Sequence, residues 1–339
     1  MKKNEKEKNY FKVRAISNSS LRYIVYNPPL FYKFINGDLE NKTKDYLELG
    51  TAVHMYILEN SKFKKAYEVL EYDNPQSPNQ IKFLTKVHEE KKITDDKLIK
   101  FYKEYYSVKI SDIKILEKAK ELIEQYSSYF KYLKLSKNKA VLSPQTMRLI
   151  LDINNNIKEH KKASKLIYNL EADIIEDPEV DIYNEKEIYW NVKKDSREFS
   201  HKAMIDRLVI DHSKKEISLI DVKTTFDMAD FPNSIKKYNY VQQLAYYTLA
   251  INSLFEQDYS DKNIEDYNIK FYIVALETTN SRVEVFNISQ KFILTSLPEI
   301  LSKIDRIYWH MANNKWDHPM EYYTNEGEID ICEATLQDL

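Results

Sequence analysis

The chain has 339 residues, 43% of them hydrophobic and 31% charged, with a formal net charge of −2, 3 glycines and 1 cysteine. That balance describes a folded chain of one large or two ordinary domains, not a disordered one. So few glycines argue against a glycine-rich phosphate loop or a dinucleotide fold. The lone Cys332 excludes a disulfide framework, a cysteine zinc site and an iron–sulfur cluster.

Residues 1–10 are charged and expected to fray. They lack the apolar core of a signal peptide, and no apolar run approaches the roughly 20 residues that span a bilayer. A cytoplasmic protein with no membrane partner is therefore expected. Ser17-Asn18-Ser19-Ser20 offers N-cap chemistry for a helix over about Leu21 to Tyr26, which Asn27-Pro28-Pro29 stops. A second helix begins near Phe31. A third runs from about Asp45 to Glu59, with Leu47, Val53 and Leu58 on its apolar face. Residues 73–80 read as a loop, and 81–169 as charge-rich helices with apolar residues three and four apart, such as Ile115, Leu116, Ala119, Leu122 and Ile123.

Strand patterns take over near 180: Ile188–Val192, His201–Ile210 and Ile217–Lys223. A helix over about Ser234–Leu254 follows, then strands Ile269–Leu276 and Val283–Ile288, then a long helix from Gln290 to about Met311. This order predicts an α/β fold with a mixed central sheet flanked by helices. The expected organisation is one domain over 1–339, with N-terminal helices in 10–60, a large helical insertion over 75–170, and the sheet and its helices over 180–312. The segment 325–339 carries Glu326, Glu328, Asp330, Glu333 and Asp338 and reads as a mobile or docking tail.

Within the strands one constellation bears chemistry. Residues two apart on a strand share a face, so Asp221 and Lys223 project together and Val222 points away. Asp206 stands at the polar break of the preceding strand and can reach the same point. Two carboxylates can hold a divalent cation through hard oxygen ligands, and a lysine beside them can stabilise charge on an attacking water or a phosphate. An Asp-x-Lys on a strand is more often a solvated edge. Here it follows the apolar run Ile217-Ser218-Leu219-Ile220, where an unpaired charge is costly. A metal would compensate.

Two helices add to it. Gly50-Thr51-Ala52-Val53-His54 puts an imidazole one turn after a glycine that lets a neighbour approach the backbone. A lone helical histidine is more often structural. Gln243 and Tyr247 are four apart and share the face of a helix that directly follows the Asp-x-Lys strand.

In the order Gly50-x-x-x-His54, Asp206, Asp221-Val222-Lys223 and Gln243-x-x-x-Tyr247, these pieces resemble the PD-(D/E)XK nuclease superfamily. Within it they resemble the RecB-like and RecE-type phage and prophage exonucleases. The stretches Lys202-Ala203-Met204-Ile205-Asp206, Ile220-Asp221-Val222-Lys223-Thr224-Thr225, Tyr240-x-x-Gln243-x-x-x-Tyr247 and Ile16-Ser17-Asn18-Ser19-Ser20-Leu21 carry the likeness, over roughly residues 15–60 and 185–255. Ile205 stands where the superfamily label has a proline, and Asp221 stands before the lysine in place of a glutamate.

The resemblance implies that His54, Asp206, Asp221 and the Val222 carbonyl bind Mg²⁺ or Mn²⁺, as two ions about 4 Å apart. Lys223 would orient water or stabilise developing charge, Gln243 would contact Lys223, the water or the phosphate, and Tyr247 would support that helix face or touch the DNA backbone. It also implies 5′-to-3′ resection of linear double-stranded DNA ends for recombination, beside a single-strand annealing protein, by a homo-oligomeric ring. An endonuclease, or a repair or defence nuclease with the same site, is the alternative, and a non-catalytic DNA-binding protein is the least favoured. Phosphate contacts are expected from Ser17, Ser19, Arg22, Thr224, Thr225, Lys236 and Lys237, although lysine pairs are more often a solvated face.

Overall fold

Alternating apolar residues on consecutive segments build the central sheet. The computed structural model describes residues 7–38, 45–169 and 179–329. Among them are seven strands: β1 (Tyr67–Val69), β2 (Ala140–Leu142), β3 (Val180–Lys194), β4 (Arg197–Asp211), β5 (Glu216–Thr225), β6 (Asn268–Glu277) and β7 (Val283–Ile288). β3 to β7 form a five-stranded sheet in chain order. β5 and β6 are parallel and the other pairs antiparallel, so the sheet is mixed, as the element order predicts. The parallel pair needs a crossover, and helices Phe231–Lys237 and Tyr240–Asp258 supply it.

The chain divides into two compact units, Met1–Gly50 with Asn155–Leu339, and Thr51–Asn154. Helices Asp45–Leu58 and Pro144–Glu159 run through the two junctions. The first unit holds the five-stranded sheet. Its core joins Ile205, Leu208, Ile217 and Leu219 of the sheet to Leu244, Ile251 and Leu254 of the crossover helix and to Ile300, Ile304 and Ile307 of helix Gln290–Asn313. The second unit is mostly helical and has its own core, in which Phe83, Leu84, Leu98, Phe101, Ile115 and Ala119 are buried. β1 and β2 form a short parallel pair there. These two strands fall outside the sequence-based expectation, because three residues each are too few for a period-two pattern to register.

Several boundaries differ from the sequence reading. Tyr10 is buried and residues Glu7–Lys12 form a 3₁₀ turn, so fraying does not extend to residue 10. The buried Lys202 ammonium donates to the carbonyls of Tyr10 (2.7 Å) and Val13 (2.8 Å) and ties that segment down. Residues 1–6 lie outside the described residues. The first helix is Asn18–Ile24. Pro28 and Pro29 open the second helix, Pro28–Asn36, at its first positions, with the Asn27 side chain accepting the Leu30 N–H at 3.1 Å. The expected single helix from Ser234 is two helices, broken because Asn239 adopts the left-handed conformation (φ 51°) and caps the second. Most of the acidic tail, 330–339, lies outside the described residues, as does Cys332.

The most consequential difference is the length of β3. It begins at Val180, whereas the apolar pattern starts at Ile188. Asp195 and Ser196 both have positive φ (49° and 61°) and join Lys194 to Arg197 in a two-residue turn. Such turns match the twist of the strands they connect. The turn fixes a register in which Asn184 faces Arg207 and Lys186 faces Ile205.

Candidate active site

The site forms where β4 loses a neighbour. β4 and β5 pair from Asp211↔Glu216 only as far as Arg207↔Ile220. Beyond that point the β4 edge still presents backbone groups, and a buried backbone group without a partner is costly. Nearest the start of β4, Ile16 bridges across: its N–H donates to Ser200 O at 2.9 Å, and its carbonyl accepts from Lys202 N at 2.8 Å. At Met204 the Tyr247 hydroxyl donates to the carbonyl at 2.8 Å. At Asp206 the side chain takes over, and its Oδ2 accepts the Val222 N–H at 2.8 Å.

That last bond places the Asp206 carboxylate beside β5 at Val222. Within a strand the N–H and C=O of one residue point to the same edge, so the Val222 carbonyl faces the same gap. Asp221 and Lys223 flank it. The Lys223 ammonium donates to Asp221 Oδ1 at 2.7 Å and pairs electrostatically with Oδ2 at 2.6 Å. Asp221 is fully buried, and Gln243 Nε2 donates to its Oδ1 at 2.9 Å. The same Nε2 lies 2.6 Å from the Tyr247 hydroxyl, so the two helix residues four apart do act as one face. The Lys223 ammonium also sits 5.2 Å from the centre of the Tyr240 ring.

The electrostatics follow from this packing. Burial disfavours the charged form of Lys223, but Asp221 and Asp206 outweigh it and raise its pKa above the ordinary lysine value. Tyr247 is pushed well above its ordinary value, first by burial and then by the same two carboxylates. Lys223 is a firm cation and Tyr247 a firm neutral donor at physiological pH.

A further acid joins the site, one the apolar pattern does not single out. Glu185 lies across the β3–β4 ladder from Asp206, between the paired positions 184↔207 and 186↔205. A carboxylate oxygen of Glu185 lies within 4.8 Å of one of Asp206. Glu185 has φ 50°, a left-handed conformation that a non-glycine residue adopts at a cost of about 1 kcal/mol or more. Counting back from the Asp195-Ser196 turn puts Glu185 opposite Asp206, but that turn is supplied by the structure. Two carboxylates this close repel, and a cation relieves that repulsion. All of these donors are hard oxygens, the set a magnesium-like ion prefers.

The other expected residues fall as follows. Gly50 belongs to the same unit as the sheet, and a Cβ on it would lie 3.0 Å from Thr224 Oγ1. The glycine therefore admits β5 close to the helix backbone. His54 stands four residues further along helix Asp45–Leu58, in the other unit, and is half-buried. The Thr225 hydroxyl donates to Asp227 O at 3.0 Å in the turn after β5. Ser17 is buried with its Oγ 3.1 Å from that of Ser19. The Arg22 guanidinium is exposed and lies 4.5 Å from the centre of the Tyr23 ring. Lys236 and Lys237 are exposed in the last turn of helix Phe231–Lys237.

The run of these pieces along the chain and across the sheet is that of the PD-(D/E)XK nuclease fold. The comparisons agree. The chain belongs to the family described as PDDEXK-like domain of unknown function (DUF3799), whose model matches residues 17–335. A crystal structure from Eubacterium rectale, described as a candidate exonuclease, is similar with a TM-score of 0.50 at 10% identity, over 100% of this chain and 98% of that one. At that identity the likeness speaks for the fold alone. A second solved structure, SSO0001, matches at 14% identity over 67% of this chain and 83% of that one, but its TM-score of 0.26 carries no weight. No curated protein matches the chain. Among the described residues no helix is long and apolar enough to cross a membrane.

Proposed function

We propose that this protein is a divalent-metal-dependent deoxyribonuclease that degrades linear duplex DNA from its ends. The observation that carries the reading is the parting of β4 and β5, which brings Asp206, the Val222 backbone and the Asp221–Lys223 pair to one gap. Asp206, Asp221, Glu185 and the Val222 carbonyl would hold Mg²⁺ or Mn²⁺, and the family resemblance adds His54 and a second ion. When bound, such an ion would lower the pKa of a bound water and neutralise charge on the phosphate.

The chain's own groups do the rest. The Lys223 ammonium offers a fixed positive charge to a phosphate oxygen in the transition state. Asp221 accepts from that ammonium through Oδ1 and pairs with it as an ion, so the charge arrives preorganised. Gln243 orients the Asp221 carboxylate, and Tyr247 locks the Gln243 helix onto β4 through Met204.

The sequence contains no base-reading motif, which favours a substrate recognised by its end. The family resemblance favours 5′-to-3′ resection for recombination, a ring-shaped homo-oligomer and a single-strand annealing partner. The Eubacterium rectale structure is described as a candidate exonuclease, in keeping with digestion from an end. The test is digestion of linear duplex labelled at the 5′ or the 3′ end, with closed circular DNA as control. Release of label from the 5′ end, Mg²⁺ dependence, an untouched circle and loss of activity in Lys223→Ala are expected. Linear duplex left intact with Mg²⁺ and with Mn²⁺ overturns the proposal, and cleavage of the circle converts it to an endonuclease.

A further inference from the structure

Tyr238 is the most exposed tyrosine among the described residues, at 58%. The fold spends effort to put it there. Helix Phe231–Lys237 ends at Tyr238, whose N–H donates to Ser234 O at 3.0 Å, and Asn239 turns left-handed before the next helix starts at Tyr240. The break brings the Tyr238 and Tyr240 rings within 5.9 Å at an angle of 27°, a stacked arrangement. Tyr240 is the ring beside the Lys223 ammonium, 5.2 Å away. A continuous path of π faces therefore runs from the buried Asp221–Lys223 pair out to solvent. At its outer end the flexible Lys237 ammonium lies 5.5 Å from the centre of the Tyr238 ring.

We propose that Tyr238 is a stacking platform for an unpaired nucleobase at the end of the DNA, with Lys237 taking the adjacent phosphate. The inference rests on the nuclease reading and names the part of the substrate held there. An exposed ring stacked on a second ring beside a charged site is a suitable π surface for a base, and stacking of this kind tolerates any sequence. It needs no base-reading side chain, in keeping with the absence of such a motif. A base entering over Tyr238 would take the place Lys237 now covers and release its ammonium to the phosphate. An end splayed in this way would present its first phosphodiester along the Tyr240 ring toward Lys223. Phe226, 78% exposed and directly after β5, provides a second uncovered ring three residues from Lys223 in the chain.

The experiment uses the full chain and a hairpin duplex whose single unpaired terminal base is 2-aminopurine. Binding is followed by fluorescence in EDTA, and cleavage is followed separately in Mg²⁺. The wild type should bind and quench the probe. Tyr238→Ala should bind roughly tenfold more weakly and lose the quench, while Tyr238→Trp should keep both. Equal binding and quench in Tyr238→Ala overturns the platform, as does a loss in Tyr238→Trp as large as in Tyr238→Ala. A wild type that cleaves, with Tyr238 irrelevant to binding, leaves the nuclease reading standing and removes this one. A wild type that binds through Tyr238 but never cleaves does the reverse.

Discussion

The Asp206 carboxylate accepts the backbone N–H of Val222 at 2.8 Å and so replaces a rung of the sheet. One side chain thus has two duties, closing the β4–β5 ladder and lining the gap that the ladder leaves. The duties separate on mutation. Asp206→Asn keeps an acceptor for Val222 and removes the charge, so it should fold normally and lose metal binding. Asp206→Ala should also lose about 1–3 kcal/mol of stability, because a buried N–H is left without its acceptor. Urea denaturation and calorimetric metal titration measure the two effects independently.

Lys223→Ala strips the ammonium from an aspartate that is fully buried. Removing one partner of a buried ion pair is strongly destabilising, by about 3 kcal/mol. Cleavage should vanish as well. Lys223→Ala combined with Asp221→Asn should recover much of the stability and none of the activity. A double variant no more stable than the single one would show that the pair is not what makes Lys223→Ala unstable.

Gly50 and Thr224 touch where the helix meets β5. Alanine in a helix interior is worth roughly 1 kcal/mol over glycine. At 3.0 Å from Thr224 Oγ1, however, the new methyl group needs the hydroxyl to give way. Gly50→Ala should be near neutral in the wild type and stabilising by about 1 kcal/mol in a Thr224→Ala background. A double-mutant cycle in urea gives the coupling directly, and strict additivity would contradict it.

The buried His201 imidazole contacts two hydroxyls, Tyr246 at 3.1 Å and Tyr308 at 2.6 Å, and burial pushes its pKa down to about 4 from 6.5. Below pH 6.5 the unfolded chain takes up a proton that the folded chain refuses. Stability from this group is therefore complete above pH 6.5 and falls as pH drops toward about 4, by about 3 kcal/mol at most. His201→Gln should be less stable at pH 7 and flatter between pH 4 and 6.5. Thermal unfolding across that window is the measurement.

Much of this arrangement is legible in the chain. Asp221 with Lys223, and Gln243 with Tyr247, are each placed on one face by period-two and period-four spacing, because each pair sits within one regular element; joining the two pairs takes the order of strand and helix and the family resemblance. Asp206 could be assigned to the neighbouring strand, but its bond to Val222 could not, since that depends on two strands parting at Arg207 and Ile220. Glu185 was hidden by composition. It sits in Tyr183-Asn184-Glu185-Lys186-Glu187, a polar stretch with no apolar alternation, and β3 extends through it because β4 dictates the pairing. Such tertiary override is the usual reason a strand outruns its pattern. Asn239 is a local signal, an asparagine able to turn left-handed, masked by the strongly periodic helix pattern around it.

The Ile16 bridge has a bearing on how the molecule is assembled. Ile16 is synthesised early, whereas Ser200 and Lys202, which it joins, emerge only after the entire Thr51–Asn154 unit. Contacts so distant in sequence bear a large loop-closure entropy and tend to form late. The bridge can close only once β4 has been made, and the docking of Ile16 then finishes the edge of the strand that presents Asp206.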